Sequence, residues 1–221
     1  MQKKSLFIVN FKAYKESTGK NALILARKLN KLKNNIAVAV EAADIFPIAK
    51  TCKRLKVFSQ YIDPIEEGAH TGSLTALSVK KSGAVGTLIN HSEKPLNFKE
   101  IKKAVYLAKK NKLITVVCAG NDKIAKNILK LRPDYIAIEP LELISGRLSV
   151  SESKPDLIKR AVHILCNKSK CDFLLVGAGI HKKEDVKKAF ELGANGILVS
   201  SAVVKSKHPD KLLKELISAS K

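Results

Sequence analysis

Short apolar runs recur along the chain, each bounded by polar residues or glycine: Ser5–Val9, Ile36–Val40, Val57–Gln60, Val85–Ile89, Ile114–Cys118, Tyr135–Ile138, Phe173–Val176 and Gly196–Val199. Runs this short, made mostly of β-branched or apolar residues, predict buried strands. Between them, Lys20–Lys33, Phe98–Lys110, Lys123–Leu131, Asp156–Asn167, Glu184–Leu192 and Asp210–Ala219 carry apolar residues three and four apart, the period of helices with one buried stripe. The stretches after Ala43 and Ser73 carry a shorter, weaker version of that period.

A strand followed by a helix, repeated at intervals of roughly 25 to 30 residues, predicts an α/β protein with a closed eight-stranded parallel (β/α)8 barrel. An open doubly wound sheet is the structural competitor. No Gly/Ser/Pro linker, low-complexity run or composition break divides the chain, so residues 1–221 are expected to form one domain. In such a barrel the active site lies beyond the carboxyl ends of the strands. The polar and small residues there are Asn10 and Lys12, Gln60, Asn90, His91 and Ser92, Glu139, Gly177 and Gly179, and Ser200 and Ser201.

Composition sharpens this picture at three points. The chain is 45% hydrophobic but only 5% aromatic, with no Trp, which suits a barrel filled by Val, Ile, Leu and Ala. Leu6–Val9 is too short for a signal peptide's apolar region, no later run approaches a membrane span, and a cytoplasmic protein is expected. Cys52, Cys118, Cys166 and Cys171 are scattered without a CxxC pair, so reduced thiols are expected and a structural zinc site is not. The net charge of +21 comes from 41 Lys+Arg against 20 Asp+Glu. The basic residues fall between apolar positions of the helices, as in Lys28–Lys33, which describes a solvated outer ring that could steer a small anion inward.

Proton transfer beside a carbonyl on a phosphorylated substrate needs a base, a neutral hydrogen-bond donor, a cation and an anion cup. Glu139 ends a strand and is followed by Pro140, which stiffens its exit. His91 precedes Ser92-Glu93, which reads as a helix start whose positive end favours an uncharged ring. Lys12 supplies the cation. Gly177-Ala178-Gly179 and Ser200-Ser201 are small residues whose backbone N–H groups can approach an anion closely.

Six segments carry a resemblance to one family: Asn10-Phe11-Lys12, Gly68-Ala69-His70-Thr71-Gly72, Asn90-His91-Ser92-Glu93, Ala137-Ile138-Glu139-Pro140, Gly177-Ala178-Gly179-Ile180 and Gly196-Ile197-Leu198-Val199. In this order they resemble the triosephosphate isomerases, from near residue 7 to residue 204, and the compact length looks most like the archaeal branch. The resemblance implies a TIM barrel that interconverts dihydroxyacetone phosphate and D-glyceraldehyde 3-phosphate in glycolysis and gluconeogenesis. It makes Glu139 the base and His91 the neutral electrophile, with Asn10 and Lys12 at the substrate and the developing enediolate. Phe11, Ile144, Ser145, Gly177, Gly179, Ser200 and Ser201 match substrate- or phosphate-binding positions, and no metal or organic cofactor is implied. Leu141–Ser149 matches the lid. Its usual Gly-Thr-Gly reads Ser145-Gly146-Arg147, and the glycine-bearing turn after the last strand reads Ser200-Ser201-Ala202. Gly68–Ser73 matches the segment that reaches into a neighbouring subunit, with Thr71 near that subunit's Asn10 and Lys12. A homo-oligomer follows, with a tetramer favoured over a dimer.

Two other functions fit less well. Another phosphate-binding barrel isomerase or synthase would carry different groups where Lys12, His91 and Glu139 stand. A basic nucleic-acid-binding module needs a clustered basic face with aromatics for stacking, and the few aromatics here mostly lie inside apolar runs.

Overall fold

The computed structural model describes residues 4–140, 150–166 and 171–220. Its strands are β1 (Leu6–Asn10), β2 (Ile36–Val40), β3 (Lys56–Ser59), β4 (Gly86–Ile89), β5 (Ile114–Ala119), β6 (Tyr135–Ile138), β7 (Leu174–Gly177) and β8 (Gly196–Val199). They pair in parallel in chain order, and β8 returns to β1 to close a barrel. This settles the architecture against the open sheet, and each strand lies within one residue of its sequence position.

Helices follow the strands: α1 (Lys20–Leu29), α2 (Ala42–Thr51), α3 (Ala76–Lys81), α4 (Phe98–Lys110), α5 (Asp122–Leu129), α6 (Val150–Ser153), α7 (Pro155–Cys166), α8 (Lys183–Glu191), α9 (Ser201–Val204) and α10 (Pro209–Ser218). The weak periods after Ala43 and Ser73 correspond to α2 and α3. Helix α1 stops at Leu29 rather than Lys33, because Asn30 caps it and turns its Oδ1 to the Arg54 N–H at 2.9 Å. None of the described helices is long and apolar enough to cross a membrane.

Successive strand residues face opposite sides. One set fills the barrel: Leu6, Ile8, Ala37, Ala39, Phe58, Leu88, Val116, Cys118, Tyr135, Ala137, Leu175 and Leu198. The other, including Phe7, Val9, Val38, Val57, Val117, Ile136, Val176 and Ile197, packs against the helices. Small residues on β2 and β6 leave room for the Phe58 ring, and Gly86 lies directly against it. Following the inner set one step beyond each strand end leads to the mouth, where it meets Asn10, Gln60, Asn90, Glu139, Gly177 and Ser200.

The closing seam is held at its lower end by Asn195. Its carbonyl accepts from the Leu6 N–H at 3.2 Å, its Oδ1 from the Ser5 hydroxyl at 3.2 Å, and its Nδ2–H donates to the Asp172 carbonyl at 3.1 Å. Thr115 and Asp134 tie β5 to β6 in the same region: the Asp134 carboxylate accepts from the Thr115 N–H and hydroxyl at 2.9 and 2.8 Å.

The expectation of four reduced thiols needs correction. Cys52 and Cys118 are free and buried, but Cys166 and Cys171 form a disulfide. The end of α7 and the approach to β7 bring their Cα atoms to 5.5 Å, within the span of a bridge, which a separation of five residues does not reveal.

Gly196 sits where β8 meets β1, and a methyl there would collide with the Leu6 carbonyl and with Leu175 Cδ2 at 2.7 Å. Because a backbone carbonyl cannot yield as a flexible side chain can, Gly196→Ala is expected to lower stability by about 2 kcal/mol or more in urea unfolding. An unchanged midpoint would show that the seam has slack.

Candidate active site

The mouth residues converge. Asn10, Lys12, His91, Glu139, Gly179, Ser200 and Ser201 line one pocket at the carboxyl ends of the strands. Glu139 is the inward residue just after β6. Only 6% of it is exposed, and its Oε2 has no hydrogen-bond partner among the described residues. A buried carboxylate oxygen without a donor is costly, and such groups concentrate where chemistry uses them. Oε2 lies 3.8 Å from His91 Nε2.

His91 is 8% exposed. Its Nδ1 faces the Glu93 N–H at 3.2 Å and accepts from it, which assigns the ring proton of a neutral imidazole to Nε2. The expected helix start at Ser92-Glu93 is not there. Helix α4 begins at Phe98, with Asn97 as cap: its Oδ1 accepts from the Glu100 N–H at 3.0 Å while Glu100 accepts from the Asn97 N–H at 2.8 Å. The neutral ring therefore has its partner in one backbone N–H of a turn, not in a helix end.

Asn10 is oriented by Lys12, whose N–H donates to Asn10 Oδ1 at 3.0 Å. That leaves Asn10 Nδ2 facing His91 Nε2 at 3.5 Å. Two donors that near each other bond to a common acceptor better than to each other, so an oxygen placed between them would take a hydrogen bond from both.

Lys12 has φ +50°, a left-handed conformation that costs a residue with a side chain about 1 kcal/mol or more. Asn10 holds its N–H, and Gln60 Nε2–H donates to its carbonyl at 3.0 Å and to that of Ala39 at 3.2 Å. Its ammonium meets Glu93 Oε1 at 2.6 Å. Gln60 and Glu93 had no assigned part in the sequence. The signal for Gln60 is that it follows Phe58 in the inward set.

Beneath the carboxylate lie Cys118 and Gly177. Burial pushes the Cys118 thiol well above its ordinary range, and the adjacent Glu139 carboxylate pushes it further, so the sulfur keeps its proton. A methyl on Gly177 would stand 2.7 Å from both Glu139 Cγ and Oε1. Gly177 thus forms the floor under the base, beside the Ala178-Gly179 turn. Phe11 packs away from the pocket. Its side chain is fully buried in the outer layer, because it follows the inward Asn10 by one residue.

The anion-cup residues end β7 and β8. Ala178 and Gly179 have φ +70° and +68°, a sharp turn at the pocket wall. Ser200 and Ser201 open α9, whose Val203 and Val204 N–H groups donate to the Ser200 carbonyl at 3.0 Å. Ser200 Oγ is buried without a partner. Ile144 and Ser145, with the rest of Leu141–Ser149, lie outside the described residues. Among the described residues no group of three or more His, Cys, Asp or Glu could hold a metal ion.

Fold and site together define a (β/α)8-barrel enzyme with a buried carboxylate facing a histidine across a mouth lined by Lys12. The family model described as triosephosphate isomerase matches residues 5–219. Relatives named triosephosphate isomerase include one from Methanothermus fervidus, 40% identical over 96% of this chain and 97% of its own length. Another, from Saccharolobus solfataricus, is 39% identical over 98% of this chain and 96% of its own length. A crystal structure of triosephosphate isomerase from Bartonella henselae shares the fold with a TM-score of 0.71 at 18% identity, covering 91% of this chain and 94% of that one. The chain belongs to the triosephosphate isomerase family and is an isomerase.

Gly177→Ala tests the floor under the carboxylate. The clash falls on a side chain that can shift toward the mouth, so turnover should drop about tenfold or more while the melting temperature moves by only about 2 °C. Retained turnover would mean that the carboxylate has other room.

Proposed function

We propose that this chain interconverts dihydroxyacetone phosphate and D-glyceraldehyde 3-phosphate through an enediolate. The observation that carries the proposal is the Glu139 carboxylate, buried, with one oxygen unpartnered and 3.8 Å from His91 Nε2. Glu139 takes a proton from the carbon next to the carbonyl. The freed electron pair forms the carbon–carbon double bond, and charge moves onto the carbonyl oxygen. That oxygen sits between the His91 Nε2–H and Asn10 Nδ2–H donors, and Lys12 stabilises the charge. The hydroxyl proton on the carbon that was deprotonated passes to this oxygen, Glu139 returns its own proton to the former carbonyl carbon, and the deprotonated carbon becomes the new carbonyl, so that no oxidant or cofactor enters the balance. Backbone N–H groups of Gly179, Ser200 and Ser201 hold the phosphate. Residues 1–221 act as one unit in this scheme.

A homo-oligomer belongs to the same proposal, with a tetramer favoured over a dimer. The segment from Glu66 to Ser73 is exposed throughout, although it includes the apolar Ala69, and Thr71 stands at its tip region. A cytoplasmic setting is also our reading. The buried free thiols Cys52 and Cys118 agree with it, and the Cys166–Cys171 bridge runs against it.

A coupled assay with either triose phosphate, without metal or nucleotide, tests the reaction. In Glu139→Gln, kcat should fall by about three orders of magnitude or more while KM changes little, since an amide cannot take the proton. Near-normal turnover in that variant would remove Glu139 from the mechanism.

Assembly has its own test. Thr71→Asp should shift sedimentation toward monomer and lower activity in parallel, because a charge would be forced into a partner's pocket. A wild-type monomer with full activity would overturn the assembly proposal.

A further inference from the structure

We propose that Asn90 is a positioning residue that sets His91 against Glu139. On β4 the inward residues are Gly86 and Leu88, so a regular extended chain would carry Asn90 inward and turn His91 out toward the helices, as Phe11 turns out after Asn10. The chain is not regular there. Asn90 has φ +59°, a conformation that Asn tolerates better than most residues with a side chain, and His91 comes to line the mouth instead.

The Asn90 side chain then braces that turn on two sides. Its Oδ1 accepts from the Leu96 N–H at 2.9 Å, closing the loop that carries His91 and Glu93. Its Nδ2–H donates to the Cys118 carbonyl on β5 at 2.9 Å. Cys118 is the residue whose thiol lies against the Glu139 carboxylate. One amide therefore links the loop holding the histidine to the strand supporting the carboxylate. Lys12, Gly179, Ser200 and Ser201 follow β1, β7 and β8 and share neither of these two bonds, although the Lys12 ammonium meets Glu93 of the same loop.

The kinetic consequence rests on the isomerase scheme above, but the geometric one does not. Asn90→Gly keeps the left-handed backbone without strain and removes both bonds. Its kcat should fall about tenfold or more, with KM and inhibition by inorganic phosphate within about twofold. Nitrogen-15 NMR of the His91 ring should change from one tautomer to a mixture. Asn90→Asp keeps the acceptor for Leu96 and loses the donor to Cys118, so it should recover the loop but not the rate. Wild-type kcat and unchanged His91 signals in Asn90→Gly would overturn the proposal. So would equal losses of kcat, phosphate affinity and melting temperature, which a merely structural residue would give. If the wild-type chain did not isomerise triose phosphates, the functional scheme would fail, and the His91 signals of Asn90→Gly would still decide the role of Asn90.

Discussion

Closure between β1 and β8 is the constraint on which the remaining structure depends. An open sheet would leave Leu6, Ile8, Leu175 and Leu198 facing solvent, whereas closure makes them one interior with Phe58 and Leu88. The seam permits this because Gly196 lets β8 lie against the Leu6 carbonyl and because Asn195 satisfies backbone and side-chain groups from β1 and from the approach to β7. Once the barrel is closed, the period of two along every strand is no longer a local property. It assigns each residue to the interior or to the helix layer, and it decides which polar groups arrive at the mouth.

After β1 and after β4 that order is broken, at Lys12 and at Asn90, and both breaks are left-handed. Each is held by side-chain amides: Asn10 and Gln60 at Lys12, and the Asn90 amide itself at the second. Conformations of this kind persist only where surrounding contacts over-determine them. The buried, unpartnered Glu139 oxygen adds a further cost. A rigid barrel can carry these costs because the strands below are mostly apolar and packed on both faces. The destabilising features are confined to one end, where they place a donor, a cation and a base around one small space.

Much of this was legible in the sequence, for physical reasons. Strands buried on both faces give continuous apolar runs, so Ile36–Val40 and Tyr135–Ile138 could be bounded to the residue. Glu139 and Asn10 were legible as site residues because they end such runs. What was hidden depends on dihedral angles and on contacts between distant elements. The basic, partly apolar tail Lys31–Lys33 continues the helical period of α1, but Asn30 ends the helix first. Ser92-Glu93 has the composition of a helix start, yet the capping box at Asn97 and Glu100 wins. That Gly177 lies under the base shows only once the Glu139 side chain is placed over it. The family motif includes Phe11, but parity sends its ring into the outer core.

The +21 charge also divides by position. Lys28, Lys31, Lys33, Lys102, Lys103, Lys109 and Lys110 are exposed on or beside α1 and α4, whereas Lys12 is the one lysine among the described residues lining the pocket. At physiological ionic strength exposed charges are screened beyond about 8 Å, so the outer ring acts on the rate of encounter and not on discrimination within the pocket. Discrimination falls to Lys12, which is paired with Glu93. The two partners are unequal: the Lys12 side chain is 11% exposed and that of Glu93 52%. A pair with one partner this exposed is worth about 0–1 kcal/mol, less than a phosphorylated substrate would gain from the cation. Lys12 cannot swing away easily, because Asn10 and Gln60 hold its backbone on both sides. In the proposed reaction it is therefore Glu93 that yields to the incoming anion, while the cation stays at the mouth.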